Sequence, residues 1–154
     1  MIFEGKIEVG VERQKAWDFL LDINQFASCM PGLENVTEVD DRSFDGVIGA
    51  TVGPISGKFS FRSTILNITS PREMVVQTVG TDSVTKSKVK VDVTGSLNQP
   101  EEKKTELNYH AEVKIEGRLA ILGDMVLRAT AALILDEFSR RLRQKLEGNG
   151  NFQT

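Results

Sequence analysis

The chain has 154 residues, a mass of 17.1 kDa, a formal net charge of −3 at pH 7 and a pI near 5.3. This length predicts one domain, and the acidic balance argues against a nucleic-acid binder, which would need a basic surface. The single cysteine excludes an internal disulfide and the N-terminal residues lack the layout of a signal peptide, so we expect a cytoplasmic protein.

The first element in chain order is a strand. Apolar and charged residues alternate over residues 2–11, which is typical of a half-exposed strand. From Arg13 the apolar residues recur at three- and four-residue steps, which predicts one or two short helices. Pro31 disfavours helical geometry at Met30, and Gly32 permits a positive φ, so these residues are predicted to end the helical segment in a structural loop.

Six further strands follow, each rich in β-branched or aromatic residues and bounded by turn residues. They are predicted at residues 33–39, 43–52, 57–68, 74–79, 84–97 and 105–117. In the last two strands apolar residues oppose charged ones, which indicates an antiparallel sheet with one buried face.

A long helix is predicted over residues 119–146, because this stretch is rich in alanine and leucine and contains no proline. It is the only large element available to cover the apolar face of the sheet. We therefore expect an α+β domain over residues 1–147, followed by a flexible tail at 148–154. A curved sheet that holds one helix generally leaves a gap between them, and such gaps hold ligands.

Five stretches spread over nearly the whole chain carry a family resemblance. They are VGVERQKAWDFLL at 9–21, CMPGLE at 29–34, VGPISGKFSF at 52–61, GRLAIL at 117–122 and DEFSRRL at 136–142. With these stretches in this order, the chain resembles the carbon monoxide dehydrogenase CoxG family of the START-like (SRPBCC) superfamily. The resemblance implies the helix-grip fold, in which a curved antiparallel sheet wraps around a long C-terminal helix.

The resemblance also implies a function. Proteins of this family are accessory to molybdenum-containing dehydrogenases of the carbon monoxide dehydrogenase type. They are linked to maturation, to membrane recruitment of the dehydrogenase, and to delivery of an apolar quinone. The motifs do not choose among these three roles.

The side chains offer little for catalysis. The single histidine, His110, falls on the polar face of its strand, and there are no clustered cysteines, so we expect no catalytic residue, metal or cofactor. Cys29 has no base near it in sequence and is interpreted as a small buried residue. An alternative is a pocket enzyme of cyclase or hydrolase type that uses Asp136, Glu137 or Tyr109; another is a pure protein-interaction module. The simpler interpretation of both acids is pairing with nearby arginines.

We expect the ligand to be an apolar small molecule, such as an isoprenoid quinone or another lipid. The Tyr109 hydroxyl is a candidate donor to a quinone carbonyl. The residues predicted to line the pocket share inward-facing parities or helix positions: Phe26, Met30, Phe59, Phe61, Val91, Val93, Leu107, Tyr109, Leu122, Met125, Val126, Ala129 and Leu133.

A basic cluster ends the long helix, formed by Arg140, Arg141, Arg143 and Lys145. It is interpreted either as a solvated face or as a docking patch for anionic lipid headgroups or an acidic partner. The second interpretation would place the protein peripherally at the inner membrane face. Both a monomer and a homodimer are compatible with the sequence.

Overall fold

Seven antiparallel strands form one sheet in the computed structural model, which describes residues 1–148. The strands are β1 (Ile2–Val9), β2 (Leu33–Asp40), β3 (Ser43–Val52), β4 (Ile55–Thr69), β5 (Glu73–Asp82), β6 (Ser87–Glu101) and β7 (Lys104–Glu116). Their order in the sheet is β1-β7-β6-β5-β4-β3-β2. Strands β2 to β7 therefore form a continuous meander, and β1 pairs with β7. The predicted antiparallel sheet is confirmed.

Two short helices connect β1 to β2, as predicted: α1 (Arg13–Leu21) and α2 (Ile23–Cys29). The Asp22 side chain caps α2 by accepting hydrogen bonds from the backbone N–H groups of Asn24 and Gln25, at 3.0 and 3.2 Å. After α2, Met30 is extended and Gly32 has a φ of +80°. The chain therefore turns sharply into β2.

The C-terminal segment is less regular than predicted. A 3-10 helix (Arg118–Leu122) comes first, then α3 (Gly123–Arg143), and then a π-helical turn (Gln144–Gly148). The single helix expected over residues 119–146 is corrected at both ends, because Gly123 has a φ of +83° and interrupts the helix there. Of the predicted tail, residues 149–154 lie outside the described part of the chain.

The strand boundaries differ from prediction mainly at one turn. Residues 83–86 connect β5 to β6, whereas β6 was expected to begin at Val84. Lys86 has a φ of +55°, which ends the extended conformation just before Ser87.

The buried core is divided between the two ends of α3. The C-terminal cluster joins the end of α3 to α1, α2 and one end of the sheet; it contains Ile7, Val9, Val11, Ala16, Trp17, Phe19, Cys29, Leu97, Phe138, Leu142 and Leu146. The N-terminal cluster joins the start of α3 to the other end of the sheet; it contains Val52, Phe59, Leu119 and Leu127. The helix is thus packed firmly at both ends.

Polar contacts also fix α3 against β1 and the loops. Arg128 donates to the carbonyl oxygen of Ile2 at 3.1 Å, and Arg143 donates to that of Glu8 at 2.9 Å. The contacts of α3 with the sheet concentrate on β1 and β3. Since β7, β6, β5 and β4 lie between these two strands, the helix bridges over the middle of the sheet.

Candidate ligand-binding site

The face of the sheet that α3 covers follows from strand parity. Phe59 belongs to the N-terminal cluster with Leu119 and Leu127, so the β4 residues of the same parity face the helix. Ser63 is one of these residues, and its register partner on β5 is Thr78. We call this side of the sheet the inner face.

Between the two clusters the inner face is not closed over. Apolar side chains there belong to neither cluster and remain half-buried, although they face the helix. On the sheet these residues, together with Thr78, are Phe61, Ile65, Val76, Val91, Val93, Ala111 and Val113, and on α3 they are Thr130, Ala131 and Ile134. We call the space that they border the inner-face gap. An apolar guest in this gap would cover surface that the protein itself leaves uncovered.

A row of four aromatic rings borders the gap. The ring centroids of Phe138 and Phe26 are 5.7 Å apart, those of Phe26 and Phe44 are 6.4 Å apart, and those of Phe44 and Phe61 are 5.8 Å apart. The row connects α3 through α2 to β3 and β4, and edge-to-face contacts of this kind are favourable. Phe26 and Phe61 were predicted site residues. Phe44 and Phe138 were not, although Phe44 lies in a predicted strand.

Two hydroxyl groups stand within the apolar inner face. The Oγ of Ser63 lies 2.6 Å from the Oγ1 of Thr78, and the Ser63 residue is only 7% exposed. Sequence reasoning missed both residues. The signal that could have found them is strand parity, because Ser63 shares the parity of Phe59 and Phe61.

Tyr109 lies at the C-terminal-cluster end of the inner face. It is half-buried, and its ring covers Gly5, its register partner on β1. A Cβ built on Gly5 would lie 2.7 Å from the Tyr109 Cζ, so only glycine leaves room for the ring in this position.

The other predicted lining residues of the sheet and loops face inward. Phe26, Met30 and Leu107 pack against the C-terminal cluster, and Leu122 and Val126 pack against the N-terminal cluster. These residues flank the gap.

Three predicted lining residues on α3 point the other way. Met125 is 86% exposed, Leu133 is 71% exposed, and Ala129 is also exposed. At 3.6 residues per turn these positions lie opposite Leu127, which is buried against the sheet. The expected inward orientation of these three residues is therefore wrong, and Ala131 and Ile134 occupy the inner side of the helix.

The carboxylates on α3 are poorly placed for catalysis. Glu137 accepts hydrogen bonds from Arg140 and from Arg141, each at 2.7 Å, and these bonds lower the pKa of its carboxyl to about 2. Asp136 is exposed on the outer side. His110 is exposed and lies 3.1 Å from the Glu4 carboxylate.

Metal and thiol chemistry also find little support. Within residues 1–148, no three His, Cys, Asp or Glu side chains are grouped closely enough to hold a metal ion. Cys29 is fully buried, and burial raises the pKa of its thiol above the usual range.

The basic cluster at the end of α3 is partly engaged. Arg140 and Arg141 share Glu137, and Arg143 donates to a backbone carbonyl of β1. Lys145 is exposed. None of the helices in the described part of the chain combines the length and apolar character needed to cross a membrane.

Solved structures share this architecture. A conserved protein from Geobacillus kaustophilus matches with a TM-score of 0.88 and 17% identity, over 95% of each chain. A START superfamily protein from Mycobacterium smegmatis matches with a TM-score of 0.72 and 10% identity, over 96% of this chain and 97% of that one. The Zhui aromatase/cyclase from Streptomyces sp. R1128 matches with a TM-score of 0.69 and 13% identity, over 96% and 93%. The molecule is therefore a START-like helix-grip protein.

Sequence comparison identifies the family within this class. The model of the carbon monoxide dehydrogenase CoxG family matches residues 5–147. The chain belongs to the CoxG family, as the sequence motifs predicted. No curated protein gives a significant match to this sequence.

Proposed function

We propose that this protein binds an apolar small molecule in the inner-face gap. The observation that carries the proposal is the divided core, which leaves inward-facing apolar side chains such as Val91, Val93 and Ile134 partly exposed. Each 100 Å² of apolar surface that a ligand covers would contribute about 2.5 kcal/mol to binding. An isoprenoid quinone or another lipid suits this surface.

The proposed activity is binding and delivery rather than catalysis. The paired arginines keep Glu137 ionised at neutral pH, so it cannot supply a proton there. Asp136 faces away from the gap. A cyclase-type enzyme that uses these acids or Tyr109 is the competing proposal, and turnover that is lost in Glu137→Gln would favour it.

The family membership supports a role beside a molybdenum hydroxylase of the carbon monoxide dehydrogenase type. In this proposal the protein works in the cytoplasm, reaches the inner membrane face transiently, and delivers quinone, recruits the dehydrogenase to the membrane, or assists its maturation. Lys145 and the arginines around Glu137 are the candidate docking patch. Co-purification of the dehydrogenase with the tagged protein from its own host would test the partnership.

Native mass spectrometry with lipid extraction tests the binding proposal. Protein purified from membrane-containing lysate of its own host should carry an apolar molecule. Ala131→Phe, which fills the gap, should remove that molecule. Ala132→Phe is the matched control because Ala132 is exposed on the outer side of α3, and it should retain the molecule. A ligand-free mass for the wild type would instead favour a protein-interaction module.

A further inference from the structure

The inner-face gap contains a hydroxyl pair in an otherwise apolar surrounding. Ser63 and Thr78 face each other across β4 and β5 at 2.6 Å. Their neighbours in register are Phe44 on β3 and Val91 on β6. The pair therefore lies on the floor of the gap, between the two core clusters.

Hydrogen-bond accounting leaves this pair with one unused donor. Each hydroxyl carries one proton, and a bond between the two consumes only one of them. When Ser63 donates to Thr78, the Thr78 proton is free, and Thr78 is the more accessible of the two residues. Among the described residues, no other side chain bonds to either hydroxyl.

The other hydroxyls bordering the gap are less suitable. Thr130 on α3 donates to the carbonyl oxygen of Val126 at 3.0 Å, so its proton is already used. Tyr109 stands over Gly5 at one end of the inner face rather than between the clusters. Thr78 thus offers the free donor nearest the middle of the gap.

We propose that Ser63 and Thr78 orient the ligand by donating a hydrogen bond to its carbonyl oxygen. The ligand class is then an apolar molecule with a carbonyl-type acceptor, as in a quinone, and not a plain hydrocarbon. This inference rests on the proposed binding function. It replaces Tyr109 as the expected donor.

Two probes separate the polar contact from the apolar one. Decylubiquinone has carbonyl acceptors, whereas diphenylhexatriene is a hydrocarbon whose fluorescence reports binding. The dissociation constant of diphenylhexatriene is measured directly, and that of decylubiquinone by displacement. The test variant is the double substitution Ser63→Ala, Thr78→Val, which removes both hydroxyls together and leaves no unsatisfied partner.

The double variant should bind decylubiquinone about three- to tenfold more weakly, the usual effect of one lost hydrogen bond, and bind diphenylhexatriene as the wild type does. The matched control is Thr64→Val, since Thr64 pairs with Ser43 at 3.3 Å on the opposite face of the same strand. It should change neither constant.

The outcomes distinguish this inference from the binding proposal. An unchanged preference between the two probes in the double variant, or a loss of decylubiquinone binding in Tyr109→Phe instead, would overturn the inference alone. A wild-type protein that binds neither probe would overturn both the inference and the binding proposal.

Discussion

Gly32 and Gly49 lie against each other where the α2–β2 turn meets β3. The N–H of Gly49 donates to the carbonyl oxygen of Gly32 at 2.9 Å. A Cβ on Gly32 would overlap the carbonyl oxygen of Gly49, and the φ of Gly32 is +80°. On Gly49 a Cβ would come no closer than 4.0 Å to the carbonyl oxygen of Gly32. The two glycines are thus unequal partners in one contact.

Gly32→Ala should therefore destabilise the protein by about 2 kcal/mol or more, because strained backbone and a backbone clash act together. Gly49→Ala should change stability by less than about 1 kcal/mol. Urea unfolding measures both values. Equal effects of the two substitutions would show that the turn tolerates a side chain at Gly32.

Ligand binding should raise the thermal stability of the protein. At a decylubiquinone concentration one hundred times its dissociation constant, linkage adds about 2.7 kcal/mol, which is roughly 5–10 °C in Tm for a chain of this size. Differential scanning fluorimetry detects this shift. Ala131→Phe should lose it and Ala132→Phe should keep it. A shift of equal size in both variants would place the ligand outside the gap.

The ion pairs of Glu137 should make stability depend on acid. Its pKa is lowered to about 2 in the folded protein, from an ordinary value of 4.5. A lowered pKa stabilises the fold above the ordinary value, and this stabilisation is lost as the pH falls towards about 2.

The Tm of Glu137→Gln should accordingly lie below that of the wild type at pH 7, and the difference should shrink as the pH falls from about 5 to about 2. Melting curves across this range provide the measurement. Asp136→Asn removes an exposed neighbouring carboxylate as a control and should leave the Tm at pH 7 nearly unchanged. A difference for Glu137→Gln that does not vary with pH would point to packing rather than charge.

Two further glycines separate backbone strain from crowding. Gly117 and Gly123 have φ values of +89° and +83°. A Cβ on Gly117 would overlap the carbonyl oxygen of Lys86, whereas a Cβ on Gly123 would have no neighbour within 4 Å. Gly123→Ala should cost about 1 kcal/mol, and Gly117→Ala about 2–3 kcal/mol. Chemical denaturation of the two variants side by side checks the order.

The sheet was predictable because alternation is unambiguous where charges mark the outer face. Val89, Val91 and Val93 alternate with lysines and an aspartate, which fixed the inner face of β6. Stretches of this kind also fixed the meander order, because short turns leave neighbouring strands no other pairing. The family motifs supplied the rest of the architecture.

The helix phase was not predictable from the same kind of pattern. Around Ala131, nearly every position of α3 is apolar, so the sequence shows two apolar faces where the structure buries one. Met125 and Leu133 were assigned to the wrong face for this reason. Ser63 and Thr78 were missed because strand hydroxyls are compatible with either face, and only the packing of Phe59 under the helix shows which one they take.

The divided core also limits the size of a guest. Leu127 and Phe138, which belong to the two clusters, are eleven residues apart on α3, a rise of about 16 Å. A quinone ring with a short side chain fits within this span. A longer polyisoprenoid tail must fold back on itself or leave through the side of the gap, so that part of the tail stays accessible to a membrane or a receiving enzyme while the ring is held.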